Sequence, residues 1–127
     1  MTRYASRILV SALLLAVVGC GGDVGPEIQP GFLTASLVSP HGSEGAALIS
    51  VVGVGLGNVE STGGRVFTFS RGDTIRVLVV LDAPGDLTFR ISVPDVGSPP
   101  AAMVVQVADG GNALRADLSA YRVSFSQ

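Results

Sequence analysis

Glycine and proline interrupt this sequence so often, seventeen and seven times in 127 residues, that the chain must turn repeatedly. Between the turns lie segments rich in Val, Thr, Ser and Phe, side chains that suit a pleated strand. The cleanest is Leu87-Thr88-Phe89-Arg90-Ile91-Ser92-Val93. Its alternation puts Leu87, Phe89, Ile91 and Val93 on a core face and Thr88, Arg90 and Ser92 toward water. Thr74 to Leu81 precedes it and is apolar on both faces after Arg76, the pattern of a central strand. Between the two, Asp82-Ala83-Pro84-Gly85-Asp86 carries Pro then Gly, which suits the centre of a type II turn and predicts a hairpin. Tyr121 to Ser126 alternates again and closes the chain. Phe32 to Val38, Ala47 to Val54, Arg65 to Ser70 and Ala102 to Ala108 bring the strands to seven. The turns between them are Pro40-His41-Gly42, Thr62-Gly63-Gly64, Ser98-Pro99-Pro100 and Asp109-Gly110-Gly111-Asn112. This succession predicts an all-β fold, an antiparallel β-sandwich. One helical turn, capped by Asn112, is expected over Asn112 to Ala120. The five phenylalanines mostly fall on alternating strand positions and are expected in the core.

The N-terminus has a different character. Met1 to Arg7 carries two arginines, and Ile8 to Val18 is an apolar run broken only by Ser11. As a helix it spans roughly 17 Å, against about 30 Å of hydrocarbon in a bilayer, so it reads as a cleavable signal and not a membrane span. It ends in Val17-Val18-Gly19-Cys20, which resembles the lipobox of bacterial lipoproteins. That resemblance implies that the Cys20 thiol receives a diacylglyceryl group and that a peptidase cuts between Gly19 and Cys20. It also implies sorting to the outer membrane in a host that has one, because Gly21 and not Asp follows the cysteine. An ordinary signal peptide with an unrelated cysteine is the plainer alternative. The expected organisation is a signal helix over 1–19, a flexible tether over 20–30 and a β-sandwich domain over 31–127. The tether holds three glycines and two prolines, and eleven extended residues reach roughly 35 Å.

Cys20 is the only cysteine, so an intramolecular disulfide and a zinc–thiolate site are both excluded. The part after the leader has six arginines, no lysine and ten acids, a charge of −4. Without a basic patch, nucleic acid is not an expected partner, since phosphate neutralisation supplies most of that affinity.

Thr74 to Leu118, with its apolar strands and the turn Val107-Ala108-Asp109-Gly110-Gly111-Asn112-Ala113-Leu114, is similar to the second half of a cohesin-like or bacterial carbohydrate-binding β-sandwich. The whole mature chain resembles uncharacterised small bacterial lipoproteins. These likenesses imply a sandwich that binds an envelope protein or a glycan.

No catalytic constellation stands out. His41 is the only histidine and sits in a turn, where a solvated residue is the ordinary outcome. Asp73, Asp82, Asp86, Asp95 and Asp109 fall at predicted strand ends, where calcium finds oxygen ligands, yet aspartate is common in turns for conformational reasons alone. No pair of carboxylates is singled out for glycoside hydrolysis. Gly53-Val54-Gly55-Leu56-Gly57-Asn58 lacks the spacing of a phosphate-binding loop and reads as a bend. Arg71-Gly72-Asp73 is an adhesive tripeptide in other settings and reads here as a turn. The mature part has no Trp and one tyrosine, Tyr121, so aromatic platforms for sugars are scarce. The expected function is therefore a lipid-anchored, non-enzymatic binding or structural module of the cell envelope, with no cofactor and no metal. Docking on a larger surface complex through a strand edge is the second expectation, and a small hydrolase the third.

Overall fold

The structure is a computed structural model and describes residues 27–127; the expected signal, Gly19, Cys20 and most of the tether lie outside the described residues. Eight strands follow in order: β1 (Gly31–Val38), β2 (Glu44–Val52), β3 (Val59–Ser61), β4 (Arg65–Arg71), β5 (Thr74–Gly85), β6 (Thr88–Val93), β7 (Ala101–Ala108) and β8 (Arg122–Ser126). They form two four-stranded antiparallel sheets, β3-β6-β1-β8 and β4-β5-β2-β7. The protein is an all-β sandwich, with β3 added to the seven strands expected.

The core lies between the sheets. The first contributes Leu33, Ala35, Phe89, Ile91 and Val93; the second contributes Ala47, Ile49, Val51, Ile75, Val77, Val79 and Val107. Leu87, Phe89, Ile91 and Val93 are all buried, as their alternation predicts. β5 is indeed a central strand, between β4 and β2. Its outward face, however, is only half covered.

Two local expectations are corrected. The segments β5 and β6 do not form a hairpin: β5 runs on through Pro84 to Gly85, and β6 belongs to the opposite sheet. A Pro-Gly turn reverses the chain but does not decide whether the returning strand pairs with its predecessor or faces it across the core. The tight hairpin is instead β4–β5, where Gly72 (φ +58°) takes the first central position of the Gly72-Asp73 turn, as a type II′ hairpin requires. Nor does Asn112 cap a helix. It adopts φ +64° in a turn, and the residues after it form no helix but return along β7, Leu114 bridging Ala108 and Arg115 N–H donating to the Val107 carbonyl at 2.8 Å. Asp109 organises this turn, its Oδ1 accepting from the amides of Gly111 and Ala113, both at 2.9 Å.

Before β1, Gln29 meets the turn that follows β6. The Gln29 carbonyl accepts from Val96 N–H at 2.8 Å, and its amide points at Asp95 Oδ1, 3.4 Å away. The chain is thus held against the 95–97 turn before β1 begins.

Candidate functional site

One acid, Glu44, is fully buried at the start of β2, with 1% of its surface exposed. Three groups meet it, Ser39 from five residues earlier and Arg115 and Tyr121 from the segment that precedes β8. Ser39 Oγ donates to Oε1 at 2.8 Å, Tyr121 OH donates to Oε1 at 2.9 Å, and Arg115 Nε donates to Oε2 at 3.2 Å. Burial pushes the Glu44 carboxyl up, but the three hydrogen bonds and the Arg115 charge outweigh it and hold its pKa below the ordinary 4.5. Burial and the bond to the carboxylate push the Tyr121 phenol up. Nearby, Gly45 brings the backbone within reach of the Asp109 carbonyl, which a Cβ would approach to 2.5 Å. No sequence motif announces this cluster. Glu44 stands 71 residues from Arg115 and 77 from Tyr121, so only the fold joins them.

Ser39, His41 and Glu44 are neighbours here, yet their connections differ from those of a nucleophile–base–acid triad. His41 meets Ser39 through its backbone amide, at 3.0 Å from Oγ, and Ser39 gives its own proton to Glu44. The His41 ring lies tilted beside Tyr121, centroids 6.1 Å apart. The cluster pins the β1–β2 turn to the segment before β8.

The five aspartates are spread around the molecule: Asp73 in the β4–β5 turn, Asp82 within β5, Asp86 before β6, Asp95 after β6 and Asp109 after β7. Among the described residues no three of His, Cys, Asp and Glu come together. Asp109 is held below the ordinary carboxylate range by the backbone amides of Ala113 and Gly111 in its own turn, and Asp95 by that of Gly97 in its turn and that of Gln29 before β1. The glycine-rich 53–58 segment crosses from β2 to β3. Gly53 N–H donates to the Asp73 carbonyl and Gly57 N–H to the Ser92 carbonyl, each at 2.9 Å, which leaves it as the bend expected.

The outer faces of the two sheets differ sharply. On the β3-β6-β1-β8 sheet, alternation turns out Thr34, Ser36, Thr88, Ser92, Ser124 and Ser126. Its one aromatic ring there, Phe32, lies under Arg90, whose guanidinium carbon is 4.5 Å from the ring centroid and which pairs with Glu60 at 3.0 Å. The β4-β5-β2-β7 sheet turns out Phe67 and Phe69 from β4, Leu78 from β5, Leu48 from β2 and Met103 from β7. Phe67, Phe69 and Met103 are 53%, 66% and 65% exposed, which corrects the expectation that the phenylalanines are core. Their register gives the reason: Phe67 and Phe69 sit opposite Leu78 and Arg76, while the intervening Val66 and Thr68 sit opposite the buried Val79 and Val77.

Three arginines, Arg65, Arg71 and Arg76, share this outer face, and β4, residues 74–80 of β5, residues 46–52 of β2, and β7 contain no acid. Among the described residues none of the three has a carboxylate within 4.0 Å; the ion pairs there are Arg90–Glu60 and Arg115–Glu44. Phe69, Arg71, Thr74 and Arg76 line a shallow depression of about 390 Å³, which adjoins a second one between Phe67, Leu48 and Leu78. The sequence signal for this face is the shared parity of Arg65, Phe67, Phe69 and Arg71. Pairing with β5 is what makes that side the outer one.

Compared with protein-family models, with curated proteins and with solved structures, the chain matches none.

Proposed function

We propose that this chain is a lipid-anchored protein of the cell envelope whose β-sandwich is a non-enzymatic binding module, and that the outer face of the β4-β5-β2-β7 sheet is its binding surface. The observation that carries the reading is the outer face with Phe67, Phe69 and Met103 exposed and Leu48 and Leu78 half-buried, edged by arginines that have no acid partner among the described residues. Monomeric proteins seldom leave a contiguous apolar patch of this kind to water unless something docks on it. The anchor rests on the apolar run ending in Val17-Val18-Gly19-Cys20. Several acyl chains, at about 0.8 kcal/mol per buried methylene, make release from the membrane negligible. Anchoring raises the local concentration of neighbouring envelope components, so weak contacts are enough.

Two experiments test the two halves. Intact-mass analysis of the membrane-extracted protein is expected to give a product that begins at a lipid-modified Cys20; an unmodified cysteine or a retained leader contradicts it. A photoreactive phenylalanine analogue placed at Phe69 is expected to give discrete adducts in producing cells, while the same analogue at Ser124, on the polar outer face, gives none. Equal labelling from both faces contradicts the assignment of the surface. A glycan is the second occupant to consider, because Phe67 and Phe69 offer two rings about 7 Å apart along one strand.

A further inference from the structure

β4 is an edge strand: it pairs with β5 on one side, and among the described residues no strand pairs with the other. It is also exposed on almost every residue, Val66 alone being half-buried. An edge in this state offers a row of unpaired N–H and C=O groups to any extended chain that fits beside it. The side chains decide which chain fits. Arg65-Val66-Phe67-Thr68-Phe69-Ser70-Arg71 is nearly a palindrome about Thr68, with arginine at both ends and a phenylalanine on each side of the centre. In a fully overlapping register, a second copy of β4 would set arginine against arginine at both ends, whether it ran parallel or antiparallel. Like charges directly opposite destabilise strand pairing. The same symmetry lets one side-chain pattern fit in either direction: acid, apolar, apolar, acid at alternate positions.

We propose that the free edge of β4 receives an extended polypeptide strand of that pattern by β-augmentation, its two acids pairing with Arg65 and Arg71 and its apolar residues covering Phe67 and Phe69. The proposal rests on the outer face being the binding surface, and it commits to a polypeptide because only a polypeptide satisfies the backbone edge as well as the rings and charges. The protein carries a net negative charge of −2 over the full chain, yet β4 and the stretch of β5 paired with it carry Arg65, Arg71 and Arg76 and no acid, so the complementarity is local.

The test uses the full chain in lipid nanodiscs and capped seven-residue peptides with alternating valines. One has glutamate at both ends and one has lysine at both ends. The glutamate-ended peptide is expected to bind at least tenfold more tightly and to slow hydrogen exchange of β4 backbone amides. The double variant Arg65→Glu/Arg71→Glu, on an exposed strand where neither arginine pairs with an acid among the described residues, is expected to reverse the preference. N-methylation of every second amide is expected to abolish binding in one of the two frames and spare it in the other, since only alternate amides of an added strand face the edge. No binding of the glutamate-ended peptide at millimolar concentration, or binding indifferent to charge reversal or to N-methylation in both frames, overturns the proposal. Polygalacturonate serves as the glycan arm. If it binds and is lost with Phe67→Ala/Phe69→Ala while the peptides fail, strand addition is wrong and the outer face is still the binding surface. Failure of every probe, together with absence of adducts at Phe69 in cells, removes both.

Discussion

Glu44 joins the β1–β2 turn to the segment before β8 through one carboxylate, and its energetics follow from its burial. Tyr121→Phe removes one hydroxyl donor to a charged acceptor and is expected to cost about 1.5–3 kcal/mol, read as a lower urea midpoint. Because the Glu44 pKa lies below its ordinary 4.5, the folded state favours the ionised form more than the unfolded chain does. Its contribution to stability is therefore complete above pH 4.5 and is lost as pH falls through the lower folded value. Glu44→Gln is expected to be less stable at neutral pH, since an amide cannot pair with Arg115 as a carboxylate does, and to show a flatter stability profile below pH 4.5. An unchanged acid slope in that variant would assign the pH dependence elsewhere. Gly45 is fixed by steric contact: a Cβ would stand 2.5 Å from the Asp109 carbonyl oxygen. Gly45→Ala is accordingly expected to cost about 1–3 kcal/mol, measurable by the same unfolding experiment.

The strands separate what alternation can reveal from what it cannot. Phe89 is buried between the sheets, and Phe89→Ala is expected to cost about 3–5 kcal/mol. Phe67→Ala and Phe69→Ala, on the exposed face, are expected to change stability by no more than about 0.5 kcal/mol while weakening binding. Equal losses of stability at all three positions would place the β4 rings in a core. Leu87 to Val93 is legible from sequence because its two faces differ in polarity, so the core side names itself. Arg65 to Arg71 alternates just as regularly, but Val, Thr and Ser on one side and Phe with Arg on the other leave the inward side undecided until β5 fixes the register. The short β3 escapes notice for another reason: Val59–Ser61 is too brief to show a period, and its pairing with β6 is wholly non-local. Pairing partners are the general gap. Turn chemistry predicts where the chain reverses, and the β5-to-β6 connection shows that it leaves the choice between hairpin and crossing to the packing of both sheets.

At the scale of the molecule, the sandwich is closed by apolar packing and one buried polar cluster. Among the described residues no three potential metal ligands meet, and the single cysteine precludes an internal disulfide. The far-ultraviolet circular dichroism of the full chain is expected to be dominated by β-structure from the domain and to keep its thermal midpoint when a chelator or a reductant is added; a shift of several degrees with either would reveal a constraint that packing does not supply. The two outer faces then set the division of labour: a hydroxyl-rich face where the Arg90–Glu60 pair lies over Phe32, and an apolar face edged by arginines that pair with no acid among the described residues. The most direct measurement is hydroxyl-radical footprinting of the protein in producing cells against the purified protein in nanodiscs. Phe67, Phe69 and Met103 are expected to oxidise readily in the purified protein and to be protected several-fold in cells, while Phe32 reacts alike in both. Equal oxidation of the β4-β5-β2-β7 face in the two settings would mean that nothing docks there and that this face is not the binding surface.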